Sequence, residues 1–265
     1  MSAQNADGIE PNRNAAADNT ERFTGKGAHY AAARPAYAPE FLSWLAGRGA
    51  RSGAAVADIG AGTGKLTEAL LALGCSVAAV EPNADMRAQA DALLGGRSGY
   101  RSVAATAENT TLPAGSVDLV TAAQAFHWFD AEAFRQECRR ILRPGGRVAL
   151  VWNLRVASAP VNAACEAVCR RHCAAFRGFT AGLNSGDARI SAFFENGCER
   201  RLFANDIVYT KEQFVRRQLS SSYAPPAGDP ACAAFAAALA ELFDRYAAGG
   251  LLIVPNVTEA YLGEP

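Results

Sequence analysis

Short apolar runs of about five residues alternate with stretches of helical spacing through the first half of the chain. The runs predict strands at 55–59, 75–80, 100–104, 117–122 and 147–152. Between them, 39–46 reads as a helix with Phe41, Leu42 and Leu45 on one face. Further helices are predicted at 64–73, ending at Gly74, after Pro82-Asn83 with Asn83 as cap, and at 131–141. Strand followed by helix, repeated, is the rhythm of a parallel sheet covered on both faces. Beyond residue 153 the rhythm changes. A long helix is predicted over 160–177, then a Gly-, Ser- and Asn-containing loop at 178–187. A strand or hairpin near 200–209, helices at 211–219 and 230–247, and a final strand from Leu251 to Leu262 complete the chain. This is more helix than a plain seven-stranded sheet needs, so part of it is expected to roof a site. No repeat and no separate second domain is evident.

The first two strands carry the most chemistry. Val56-Ala57-Asp58-Ile59 runs directly into Gly60, Gly62 and Gly64. Seventeen residues past Gly64, Val77-Ala78-Ala79-Val80 ends in Glu81. Two neighbouring parallel strands with these tips form a cradle for a nucleoside-containing cofactor, the glycines allowing a sharp turn and the acid accepting hydrogen bonds from a ribose diol. A dinucleotide fingerprint would need a third glycine where Lys65 stands. A phosphate loop would need glycine at Ile59 and Ser or Thr at Leu66. Asp58 would repel a phosphate, but it suits a cationic amine. S-adenosylmethionine offers that amine, a sulfonium and a ribose diol, and it carries no phosphate.

With these residues in place the chain resembles the class I S-adenosylmethionine-dependent methyltransferases. Ala107-Glu108, Val117-Asp118-Leu119-Val120, Gln124-Ala125-Phe126-His127-Trp128-Phe129-Asp130 and Leu142-Arg143-Pro144-Gly145-Gly146-Arg147 follow in the family's order. Tyr30 to Tyr37 and the His-Trp-Phe-Asp run are similar to the branch that includes trans-aconitate methyltransferases. The resemblance covers residues 22–153, with a few further marks at Ser220 to Pro225. It implies a Rossmann-like, doubly wound α/β fold: a mostly parallel seven-stranded sheet whose last strand is antiparallel, with helical lid elements at about 155–199 and 211–249. It also implies one domain over 22–265 behind a disordered polar stretch at 1–21.

For the cofactor, the resemblance implies that Asp58, Gly60, Gly62 and Gly64 surround the methionine end and that Glu81 takes the ribose. Asn83 or Met86 would lie beside the adenine, Ala107 and Glu108 at its edge, and Gln124 beneath the sulfonium. Tyr30 and Arg34 lie on a segment that in similar enzymes folds over the cofactor, where a guanidinium could fork onto a carboxylate. His127 is the candidate for a base or acceptor-orienting group, with a packed pocket-floor histidine as the other reading. Trp128, Trp152, Asn153, Arg155 and Tyr223 are candidate acceptor contacts. Trp152 reads equally as core, and the turn at Tyr223 as ordinary turn chemistry.

Composition narrows the partners. Of 265 residues 50% are hydrophobic, enough for one large core, and 26 basic residues balance 26 acidic ones. Arg139-Arg140, Arg170-Arg171 and Arg216-Arg217 are spaced along predicted helices and make no phosphate track, which disfavours a nucleic-acid acceptor. No apolar run has the length of a membrane span, and Met1 to Asn19 lacks a signal peptide's apolar core, so a cytoplasmic monomer or homodimer is expected. Seven cysteines, an odd number, argue for free thiols. Cys165, Cys169 and Cys173 are spaced for one helical stripe, but the spacing matches no zinc or cluster pattern, so no metal is expected. The expected activity is methyl transfer to an oxygen (carboxylate or hydroxyl) of a small metabolite. N-methylation, and a non-catalytic cofactor-binding partner, are the alternatives.

Overall fold

The computed structural model describes residues 36–179, 188–221 and 223–265. The expected disorder of 1–21, the positions Tyr30 and Arg34, and most of the 178–187 loop lie outside the described residues. The elements are α1 (Pro39–Ala46), β1 (Ala55–Ile59), α2 (Lys65–Ala72), β2 (Ser76–Val80), α3 (Ala84–Leu94), β3 (Tyr100–Val103), β4 (Val117–Ala123), α4 (Ala131–Ile141) and β5 (Leu142–Arg155). They continue as α5 (Pro160–His172), α6 (Ala188–Phe193), β6 (Cys198–Ala204), β7 (Ile207–Tyr209), α7 (Lys211–Leu219), α8 (Pro230–Tyr246), β8 (Leu252–Val254) and β9 (Asn256–Gly263).

Seven strands form one sheet in the order β3-β2-β1-β4-β5-β9-β6. Strands β1 to β5 pair in parallel, and β9 is antiparallel to both β5 and β6. The central strands are buried on both faces, which is why they read as continuous apolar runs. One face packs Ile59, Val120 and Leu150 against Phe126, Phe134 and Phe193. The other packs Val56, Leu119 and Val151 against Phe41, Leu45 and Leu70 of α1 and α2. Strand order reverses between β1 and β4, and their carboxyl ends open a crevice there, the usual ligand site of such sheets.

The remainder builds a separate apolar cluster. Val161, Cys165 and Cys169 of α5 meet Phe214 of α7, Phe235, Leu239 and Phe243 of α8, and the small β7–β8 ribbon. These helices fall within the stretches expected as a roof, whereas α6 packs Ile190 and Phe193 into the sheet core; Cys165, Cys169 and Cys173 are buried free thiols.

Several boundaries differ from expectation. Helix α5 stops at His172, so Cys173 is buried in extended backbone, not on the helical stripe. Ending there lets Phe176 turn back onto Tyr223, with ring centroids 4.8 Å apart. The segment near 200–209 is no hairpin: β6 joins the large sheet, while β7 pairs with β8. The final strand is two strands separated at Pro255, which has no N–H to give a ladder. The fifth strand is longer than 147–152, because the Arg143 to Gly146 turn is absorbed as a register shift against β4.

Candidate functional site

The site begins where β1 ends. Gly60 N and Ala61 N donate to Val80 O at 2.8 and 3.1 Å, which swings the chain across the tip of β2. All three glycines have positive φ, but for different neighbours. A Cβ on Gly60 would stand 2.6 Å from Ala125 Cβ, and one on Gly64 would stand 2.6 Å from Leu94 Cδ1. A Cβ on Gly62 would meet nothing within 4 Å. Gly62 alone therefore faces open space. Gly60 allows the β4 loop to close in, and Gly64, expected beside the ligand, instead lets α2 pack on α3.

Glu81 locks this turn. Its carboxylate accepts from Gly62 N and Asn83 N, both at 2.9 Å, and burial raises its proton affinity. The Asn83 side chain caps α3 by accepting from Met86 N at 3.0 Å, as predicted. Asp58 is less open than expected. It is 1% exposed, and its two oxygens accept from Thr67 Oγ1 (2.6 Å) and Thr121 Oγ1 (2.8 Å). Burial pushes its pKa up to about 6 against the pull of those hydroxyls. Asp58 thus ties β1 to α2 and β4 at the cleft floor.

The cleft itself is lined by Asp58, Gly60, Gly62, Glu81, Asn83 and Met86 on one side and by Ala107, Glu108, Gln124 and Trp128 on the other. Glu108 is held by the Asp130 N–H at 3.1 Å. Gln124 has φ 57, a left-handed backbone rare for a residue with a side chain, and its Nε2 donates to Asn153 O at 3.1 Å. Tyr37, Thr63, Lys65 and Phe129 also line the cleft, although sequence reasoning did not single them out. Tyr37 ends the Tyr30 segment, which was the one signal for it.

Other expected site residues lie elsewhere. His127 is on a single 3-10 turn, Phe126–Trp128, with its ring 4.6 Å from that of Trp128. Trp128 borders the cleft and His127 does not. Trp152 is core: it is 4% exposed and packs edge-on against Phe126 and Tyr261. Asn153 is a clamp: Oδ1 accepts from Thr258 Oγ1 and Asn205 Nδ2, and Nδ2 donates to Ala36 O. Arg155 and Tyr223 belong to the roof, where both bond Gln218 Oε1.

Comparison with known proteins fits this geometry. Residues 57–150, from β1 through the central part of β5, match the family model for the methyltransferase domain. Residues 57–150 carry a methyltransferase domain, and the fold around them is that of the class I S-adenosylmethionine-dependent methyltransferases. This domain is similar to an uncharacterized methyltransferase of Mycobacterium tuberculosis, 44% identical over 126 residues, which are 48% of this chain and 49% of that one. It also resembles a ubiquinone biosynthesis O-methyltransferase of Cupriavidus pinatubonensis, at 36% over 115 residues, 42% of this chain and 45% of the other. The chain thus spans about half the length of the curated relatives it matches. A solved structure of a candidate type II methyltransferase from Anaeromyxobacter dehalogenans superposes with a TM-score of 0.70 at 27% identity, covering 87% of this chain and 97% of that one. None of these three carries the name of a trans-aconitate methyltransferase, and the likeness to that branch stays an expectation.

The methyltransferase cleft suits the family's cofactor on its own chemistry. Gly62 leaves room at the turn, and Asp58, Glu81 and Glu108 put carboxylates along a lining that includes one basic side chain, Lys65. That balance favours a cationic, phosphate-free ligand with hydroxyls.

Proposed function

We propose that this domain binds S-adenosylmethionine in the cleft and directs its methyl group to a small-molecule acceptor, at a carboxylate or hydroxyl oxygen. Bound there, the cofactor supplies an already activated methyl group, leaving S-adenosylhomocysteine. The protein then has to hold, orient and exclude water. In this reading Glu81 takes the ribose hydroxyls, with Asn83 and Met86 beside the adenine and Ala107 and Glu108 at its edge. Gln124, fixed through Asn153 O, forms the floor near the reacting end. His127 acts on the acceptor only through the placement of Trp128. The likeness to an O-methyltransferase supports oxygen over nitrogen. No helix among the described residues is long and apolar enough to cross a membrane. A small-molecule acceptor in a cytoplasmic setting, for a monomer or homodimer, completes the proposal.

The observation that carries this reading is Glu81, a half-buried carboxylate at the tip of β2 facing the open side of Gly62. Replacing Glu81 by Ala should weaken S-adenosylhomocysteine binding in calorimetry by about 1–3 kcal/mol, as for loss of charge-assisted hydrogen bonds. An unchanged affinity refutes the ribose assignment.

A further inference from the structure

The roof contains a group of polar atoms that the cofactor cleft does not use. Arg155, the last residue of β5, donates from Nη2 to Gln218 Oε1 at 3.2 Å. Its guanidinium lies over the Phe179 ring at 3.9 Å. Gln218 is 1% exposed, and its Oε1 also accepts from Tyr223 Oη at 3.4 Å. These two bonds fix which end of the amide is which. Among the described residues they leave Gln218 Nε2 buried with no hydrogen-bond partner, and Arg155 Nη1 is buried in the same state. A buried N–H donor without an acceptor forfeits its hydration and destabilises the fold. Both atoms belong to side chains that bond each other, and a single acceptor that reached both would satisfy them.

The charge around them selects that acceptor. Among the described residues no carboxylate is ion-paired with Arg155 or with Arg217. Cys165 faces the same guanidinium, and its thiol is drawn down by the Cys169 hydrogen bond and by the charge and hydrogen bonding of Arg155. Phe176, Phe179 and Tyr223 enclose the group with aromatic rings. One guanidinium and one amide N–H, inside an apolar wall, match a planar monoanion better than a hydrated dianion.

The position ties the group to the cleft. Arg155 is two residues beyond Asn153 on β5, on the same face and about 7 Å further along. Asn153 holds Gln124 through its carbonyl and holds Ala36 O through its amide, and Tyr37, the next residue, lines the cleft. We propose that Arg155 and Gln218 form an acceptor subsite, and that the acceptor carries a carboxylate that both side chains hold. This rests on the methyl-transfer reading above and adds the group by which the acceptor is recognised. Gln218 becomes a specificity-determining residue.

The test titrates full-length protein with succinate, citrate and phenylacetate, with their neutral amides, and with inorganic phosphate, following the thermal midpoint with and without S-adenosylhomocysteine. At least one carboxylate should raise the midpoint, its amide should not, and phosphate should act weakly. Arg155→Met and the near-isosteric Gln218→Glu should each weaken that carboxylate at least tenfold while S-adenosylhomocysteine affinity stays within twofold. Cys165→Ala, which removes the competing thiol, should bind it as tightly or more tightly. If no carboxylate acts on wild type or Cys165→Ala, if amides or phosphate act as strongly, or if both subsite variants bind normally, the proposal is wrong. Failure of S-adenosylhomocysteine itself to bind wild type would instead refute the cofactor reading, and the titration without it would still report on the subsite.

Discussion

The cleft at the strand tips and the helical cluster of α5, α7 and α8 position their polar groups by different means. In the cleft, residues close in sequence do most of the work: Gly62, Glu81 and Asn83 are joined by two backbone N–H bonds to one carboxylate. In the roof, Arg155, Gln218 and Tyr223 come from β5, α7 and the turn after it, and they meet only because a separate apolar cluster brings those elements together. A cleft built on a rigid strand pair can keep one cofactor while a roof with its own core changes acceptor. That division matches methyl-transfer chemistry, where the activated group is constant and the acceptor varies.

The strongest challenge to this division is Phe214→Ala. Phe214 is fully buried in the roof cluster, and truncation should cost about 3–5 kcal/mol of stability. Calorimetry under native conditions should still give S-adenosylhomocysteine affinity within twofold of wild type. A parallel loss of affinity would mean that roof and cleft act as one unit.

Within the cleft, the glycines should separate stability from binding. Gly60→Ala places a methyl group against Ala125 in a left-handed backbone and should cost about 2–4 kcal/mol in denaturant unfolding. Gly62→Ala meets no protein atom, so its stability cost should be about 1–2 kcal/mol from backbone strain alone. Its S-adenosylhomocysteine affinity should nonetheless fall at least about tenfold, since the methyl enters the space assigned to the ligand. Equal affinities for wild type and Gly62→Ala would move the ligand away from that turn.

Asp58 gives a pH test of the cleft floor. Its folded pKa of about 6 exceeds the ordinary 3.8, so the fold favours the protonated acid. That contribution is complete below the ordinary value and is lost as pH rises to about 6, above which the ionised form weighs against folding. Asp58→Asn should therefore raise ligand-free stability by on the order of 2 kcal/mol at pH 8 and by little at pH 3. A gain that is the same at both pH values would show that burial of the charge is not the cause.

The smallest effect is expected at His127. His127→Ala should leave S-adenosylhomocysteine binding intact and lower single-turnover methyl transfer less than about tenfold, because Trp128 and not His127 borders the cleft. A loss near the 10²–10⁴-fold range of general acid–base catalysis would return it to the reacting centre.

Local rules made much of the cleft legible. The strand bounds at 55–59, the helices at 39–46 and 131–141 and the Asn83 cap follow from periodicity and capping chemistry, and the structure reproduces them. The Gly-x-Gly-x-Gly turn and Glu81 were readable because each acts on neighbours within about twenty residues. What each glycine makes room for was not readable, since Ala125 and Leu94 approach only in the folded sheet. Trp152 and Asn153 show the same limit. Both end an apolar strand, yet one became core and the other a clamp because β9 lies beside them. Asp58 lines the cleft as expected, but its hydrogen bond from Thr121, 63 residues away, was not readable.

By itself, then, the sequence determined the alternating sheet, the cofactor turn and the acid that closes it, because backbone preference and hydrophobic period act over short distances. Only the tertiary structure decided that β9 enters beside β5 and that Gln218 meets Arg155. Those outcomes depend on which apolar faces find each other across more than sixty residues, and no local spacing encodes that choice.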